Sequence, residues 1–293
     1  LREELLSSKK ADNNFIHKKL LDNSEVNIYP KSIHTFEGIV FFIGSEEVDK
    51  YLFMLFENIN NPIAARFDGT LIITQTASGI LLKKCLMNHQ NRILIQKYFD
   101  FTKPTVLGLS NSFGFGDRLG LANAGHIRSL NGSNFKPVLA QQSIRELTRT
   151  NRTPDEVMDA AVWAVFQEGF KDGYGADADH LKTTEDIDLM VNAGFKMFTF
   201  DPSEFVQNEA DSLNEKQLDE KIKSLNWVGL NSSYADLSKQ YLGNKLKLSE
   251  ALTIQPTESE LKRALVKYGN ALAHIKRLYD YLKKTYSDYD SEV

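Results

Sequence analysis

Residues 150–201 run through one order twice: a capped helix, a short apolar strand, a polar tip. Thr153-Pro154-Asp155-Glu156 starts an amphipathic helix, because threonine caps the free amides of a first turn and proline fits its first position. It runs to about Phe170 and leads to a strand at 174–180. That strand ends in Asp177-Ala178-Asp179-His180-Leu181-Lys182, two carboxylates, an imidazole and an ammonium in six positions. Thr184 opens a second helix that Gly194 stops, and Met197-Phe198-Thr199-Phe200 forms the next strand, tipped by Asp201-Pro202. Helices alternating with short strands require parallel strands with crossovers, and such strands present their polar ends at one rim.

The same rhythm begins at residue 104. Val106-Leu107-Gly108-Leu109-Ser110 reads as a strand, a glycine-rich stretch follows, and a helix is expected over about 124–130. Pro137-Val138-Leu139-Ala140 is a further strand, ending in Gln141-Gln142. Four strand–helix units are present, whereas a closed barrel of this type needs eight. The expected class is therefore α/β, a (β/α) TIM-barrel-like sheet forming an incomplete barrel. An N-terminal α/β lobe is expected over 1–103, the half-barrel carrying the site over 104–205, and a helical insertion or subdomain over 206–293, with helices at 213–224 and 257–285.

In the lobe, 1–35 reads as polar and partly helical, with His17 and His34 on the surface. A strand is expected at 36–43 and a helix from Ser45, with Glu46 and Glu47 in its first turn, to about Asn58. Asp68-Gly69 turns into a strand within 66–75, and apolar spacing over 78–99 predicts a helix with Cys85 in the core. With one cysteine no internal disulfide is possible, which suits a reducing, cytoplasmic setting. A net charge of -4 gives no general basic surface for nucleic acid. No apolar run approaches the roughly 18–20 residues that cross a bilayer. The opening Leu1 and the uncapped ending at Val293 read as those of a piece of a longer protein.

Several residues could carry chemistry at the rim. In Asn111 to Gly120 the glycines follow G-x-G-x-x-x-G, one position away from a dinucleotide fingerprint, so sharp bends that present Asp117 and Arg118 are the stronger reading. Arginine can grip a carboxylate with two parallel hydrogen bonds; an ordinary Asp–Arg surface pair is the competing reading. Gln141 and Gln142 could hold sugar hydroxyls or be satisfied by backbone and water. His126 suits a local structural role as well as a ligand role. His89 and His274 fall in helical patterns and read as structural. Asp177 and Asp179 share one face of a regular strand and His180 takes the other, an alternation that relaxes at a strand end. A neutral imidazole suits a divalent transition metal, an adjacent carboxylate can move protons, and Lys182 could neutralise an anion.

Three stretches, N-S-F-G-F-G-D-R-L-G-L-A-N-A-G-H-I-R (111–128), P-V-L-A-Q-Q-S-I-R-E-L-T-R-T (137–150) and G-A-D-A-D-H-L-K-T-T-E-D-I-D (175–188), resemble the tagaturonate epimerase family of bacterial hexuronate catabolism. The likeness runs through about 104–205. It implies a metal-dependent β/α-barrel enzyme that interconverts D-tagaturonate and D-fructuronate, with a divalent cation (Zn, Ni, Co or Mn) and a ketohexuronate as partner. In that family the chain continues into a second half-barrel with further histidines at the metal.

The carbon that such a reaction inverts lies β to the ketone, so the carbonyl does not acidify its C–H bond. Retro-aldol cleavage, rotation of the aldehyde and re-addition avoid that difficulty. The adjacent aspartate and histidine are similar to the pair in class II aldolases. On that likeness His180 is assigned to the metal, Asp179 to acid/base work with Asp117 as a second candidate, and Arg118, Gln141, Gln142 and Lys182 to substrate. A metal-dependent sugar-phosphate aldolase and a non-catalytic sugar-binding fragment are the competing readings.

Overall fold

The computed structural model describes residues 26–73 and 80–293, and these divide into two compact units. One runs through Ala178 and takes in Leu189–Met197 and Glu292; the other comprises Asp179–Asp188, Phe198–Ser291 and Val293. The expectations for 1–25, His17 among them, and for 74–79 lie outside the described residues.

The first unit opens on an antiparallel sheet of β1 (Asn27–Ile28), β2 (His34–Phe36), β3 (Ile39–Glu46), β4 (Asp49–Phe56), β5 (Gly69–Ile73) and β6 (Leu81–Leu86). Its order is β1-β3-β4-β6-β5, with β2 also on β3. Both faces of β3 are buried, so it is apolar without alternation. Val40, Phe42, Phe53, Leu55 and Leu82 form one core with Val26 and Ile28. The helix expected from Ser45 is instead a hairpin. Ser45 faces Lys50 and Glu46 faces Asp49, and Glu47 makes the turn at a φ of 51°. The apolar run Leu52–Phe56 pairs with β3 on one side and β6 on the other, which outweighs a local cap signal. For the same reason the helix expected over 78–99 is strand β6 followed by α1 (His89–Tyr98), started by the Asn88 side chain.

Cys85 lies in the core, where burial pushes its thiol up to about 12. His34 is not a surface residue. Its ring packs against Phe101 and Phe166, each at 4.8 Å between centroids, and burial, aided by Lys171, lowers its pKa to about 4.

The second sheet contains β7 (Ser112–Gly114), β8 (Lys136–Ser143), β9 (Gly175–Leu181) and β10 (Met197–Phe200), in the order β10-β9-β8-β7. β7 and β8 pair in parallel. The amides of Lys196 and Asp201 reach the carbonyls of Ala176 and Leu181, so β9 and β10 also advance together. Between the strands run α2 (Asn123–Ser129), α3 (Ile144–Thr150), α4 (Pro154–Glu168) and α5 (Thr184–Ala193). Thr153 caps α4 in a reciprocal box with Glu156. The cap of α5 is Thr183, not Thr184: its hydroxyl receives the Asp186 amide at 3.1 Å.

No strand forms at 106–110. The amides of Leu107 and Gly108 donate to the two carboxylate oxygens of Glu292, at 3.0 and 2.7 Å, and Gly108 takes a φ of 55°. Those donors are thus lost to any ladder, and the strand begins at Ser112. Glu292 itself forms a parallel bridge with Met197.

The second unit is dominated by helices α6 (Glu215–Lys223), α7 (Trp227–Leu230), α8 (Tyr234–Tyr241) and the long α9 (Glu258–Thr285), with a ribbon of β11 (Leu246–Lys247) and β12 (Thr253–Ile254). Val266 of α9 packs with Leu218 and Ile222 of α6, and Leu261 and Leu265 with Leu225. Among the described residues no helix is long and apolar enough to cross a membrane.

Candidate active site

In the first unit the residues of interest lie where β7 and β8 end. After β7 the chain leaves the sheet, and the Phe115 amide makes a last bond to the Val138 carbonyl at 2.9 Å. Asp117 then turns inward. Its carboxylate accepts the amides of Gly120, Leu121, Ala122 and Asn123 at 2.9, 3.3, 2.7 and 3.0 Å. Gly120, Leu121 and Ala122 lie in the loop ahead of α2 and Asn123 is its first residue, so Asp117 braces the turn that leads into that helix. With both oxygens occupied in this way, the geometry favours loop organisation over the acid/base work expected of it.

Arg118 pairs with Glu146 at 2.5 Å while most of its side chain stays exposed. Glu146 also closes the capping box of α3 with Ser143. Burial pushes the Glu146 carboxyl up, but the hydrogen bonds from Arg118 and Ser143 together outweigh it and hold the group below the usual range.

Gln142 is buried, and both ends of its amide are engaged. It donates to the Arg118 carbonyl and accepts from Arg152 Nη1, each at 3.1 Å. A substrate hydroxyl would have to displace the loop, so the expected contact with substrate gives way to a structural one. Arg152 escapes sequence reasoning because it lies between two helices with no periodic signal, yet it also reaches the carbonyls of Arg118 and Glu156. Gln141 sits on the strand's other face and donates to Asp177 at 3.0 Å. His126 stacks on Phe115 with 4.7 Å between ring centroids.

In the second unit, the end of β9 carries Asp179 and His180. His180 takes a φ of 58° inside a strand, a left-handed conformation rare for a residue with a side chain. This breaks the alternation and brings Nδ1 to 2.7 Å from Asp179 Oδ1. A carboxylate on Nδ1 fixes the ring's orientation and leaves Nε2 as the outward nitrogen, the arrangement commonly found behind a metal-bound histidine. Backbone strain of this kind concentrates at functional sites.

Lys182 is not a free cation. Its ammonium lies 2.7 Å from Glu204 and 3.6 Å from Asp201, and the Glu204 hydrogen bond, chiefly, raises its pKa. Burial raises the Asp201 carboxyl, but bonds from Ser203 and the charge of Lys182 hold it below its ordinary value. Phe205 stacks on His274 at 4.2 Å, which supports a structural role for that histidine. Among the described residues no three histidine, cysteine, aspartate or glutamate side chains gather closely enough to hold a metal.

The family profile described as UxaE, tagaturonate epimerase, matches residues 29–293. The chain belongs to the tagaturonate epimerase family. The tagaturonate/fructuronate epimerase of Thermotoga maritima is 39% identical over 267 residues, covering 91% of this chain and 52% of that protein. Two crystal structures of the fructuronate-tagaturonate epimerase UxaE from Cohnella laeviribosi are similar. The native form has a TM-score of 0.78 at 33% identity and covers 96% of this chain and 54% of that one. A glycerol complex has a TM-score of 0.77 at 34% identity, over 92% and 51%. The chain thus spans about half the length of the family members it matches.

Proposed function

We propose that this chain supplies part of the catalytic machinery of a metal-dependent epimerase that interconverts D-tagaturonate and D-fructuronate. Its four parallel strands are read as half of a β/α barrel. The observation that carries the proposal is the Asp179–His180 pair, 2.7 Å apart, on a strained strand end in a chain of this family.

His180 fits a metal as a single ligand through Nε2, with Asp179 holding the ring. Further ligands would come from outside the groups described above. When bound, a divalent cation supplies Lewis-acid stabilisation of the negative charge that develops on the substrate's ketone side. Asp179 is assigned to the proton. It takes the proton from the hydroxyl of the carbon being inverted as the bond between the α and β carbons breaks. That bond's electron pair passes into the ketone, giving an enediolate and a three-carbon aldehyde acid. The aldehyde turns, the enediolate carbon attacks its other face, and the proton returns to the new alkoxide. Arg118, with its outer edge exposed, is assigned to the substrate carboxylate, and Gln141, steadied by Asp177, to a hydroxyl. Lys182 would serve an anion only by yielding a carboxylate partner.

The test is a nuclear magnetic resonance assay of D-tagaturonate in deuterium oxide, with added divalent metal and with a chelator. Conversion that needs metal, places no deuterium at the inverted carbon and falls by about a hundredfold or more in Asp179→Asn and His180→Gln is expected. Deuterium at that carbon, or full activity in both variants, would overturn the assignment.

A further inference from the structure

Helix α4 ends on an acid, although the carbonyls of a helix C-terminus disfavour negative charge. The side chain of Glu168 is only 5% exposed. Burial pushes its carboxyl up, yet hydrogen bonds from Arg128 at 2.6 Å and Gln167 at 2.9 Å outweigh this, and both reach the same oxygen, Oε1. The other oxygen, Oε2, takes no hydrogen bond among the described residues and lies 4.0 Å from the Lys31 ammonium.

Above Glu168 is a hollow of about 360 Å³, lined by Tyr29, Lys31, Arg128, Asn131 and Gln167. Lys50 stands beside it, donating to the Gln167 amide at 2.7 Å and lying 5.0 Å from the centre of the Tyr29 ring. The ion pair with Arg128 neutralises Glu168. Lys31 shares that same carboxylate at 4.0 Å, and among the described residues no ion pair engages Lys50, so three cations face one carboxylate. A cavity with surplus positive charge, one carboxylate oxygen able to accept and an aromatic wall matches a definite ligand chemistry.

The geometry points to a second binding site, for a small polyhydroxy carboxylate. Lys31 and the unused edge of Arg128 take the carboxylate, Glu168 Oε2 and Asn131 take hydroxyls, and the Tyr29 ring faces the ligand's C–H groups. The site lies where α4 ends and stands apart from the ends of β7 and β8, so it does not rest on the epimerase reading.

Calorimetric titration of the full chain with D-gluconate, D-glucose and inorganic phosphate tests this, using wild type, Lys31→Glu/Lys50→Glu and His180→Ala. Both lysines are exposed residues, Lys50 with its ammonium on the Gln167 amide, and circular dichroism checks that the double variant folds. Gluconate should bind at least about tenfold more tightly than glucose or phosphate. Its affinity should fall about tenfold or more in the lysine variant and be unchanged in His180→Ala. No gluconate binding, equal binding of glucose or phosphate, or binding lost in His180→Ala but kept in the lysine variant would each overturn the site.

Discussion

His180 holds a backbone conformation that costs of order 1–3 kcal/mol and is natural to glycine. His180→Gly should therefore unfold at the same temperature as wild type or a few degrees higher, while the epimerase activity proposed above disappears. Paired melting and activity curves check this, and a lowered melting point would show that the ring, not the backbone, governs local stability. His34 gives a pH prediction. Its fold-imposed pKa of about 4 lies below the ordinary 6.5, so the unfolded chain takes up the proton first on acidification. Its contribution is complete above pH 6.5 and is lost progressively down to about pH 4. Between pH 7 and pH 5 this amounts to about 2 kcal/mol. His34→Gln should flatten that part of the stability profile, measured by urea unfolding at several pH values. The pairing of Asp179 with His180 was legible because the two are adjacent and one carries the acceptor the other needs. The burial of Gln142 was not, since nothing in Gln141-Gln142 says which amide faces the rim.

Among elements, the capped helices were the most legible. Thr153-Pro154-x-Glu156 starts α4, and Gly194, at a φ of 93°, follows α5 as its sequence predicts. These signals are local, because the cap and the amides it satisfies are within a few residues of each other. Strands were less legible where their partners are remote. Leu52–Phe56 is apolar enough for either structure, and the pairing with β3 and β6 decides it. At Leu107 and Gly108 a strand-like sequence gives its amides to a side chain instead. Glu292→Ala would leave both without that acceptor and should lower stability by about 1–2 kcal/mol. Faster amide exchange at 107 and 108, with α4 unaffected, is the expected signature.

At the scale of the whole molecule each unit has a core of its own. Leu218 is fully buried under α9, so Leu218→Ala should cost about 2–5 kcal/mol. Hydrogen exchange should quicken through α6 and α9 while β3 and β4 keep their protection; uniform loss across all four would show one cooperative core. The helices expected at 213–224 and 257–285 were legible from charge and periodicity, and they form as α6 and α9. The pairing of the first sheet was not, because cross-strand partners are set by packing rather than spacing. The Glu292 clasp spans 185 and 184 positions of sequence. During synthesis the stretch around Gly108 leaves the ribosome long before the carboxylate that will hold it, and must wait unfastened while some 180 further residues are translated.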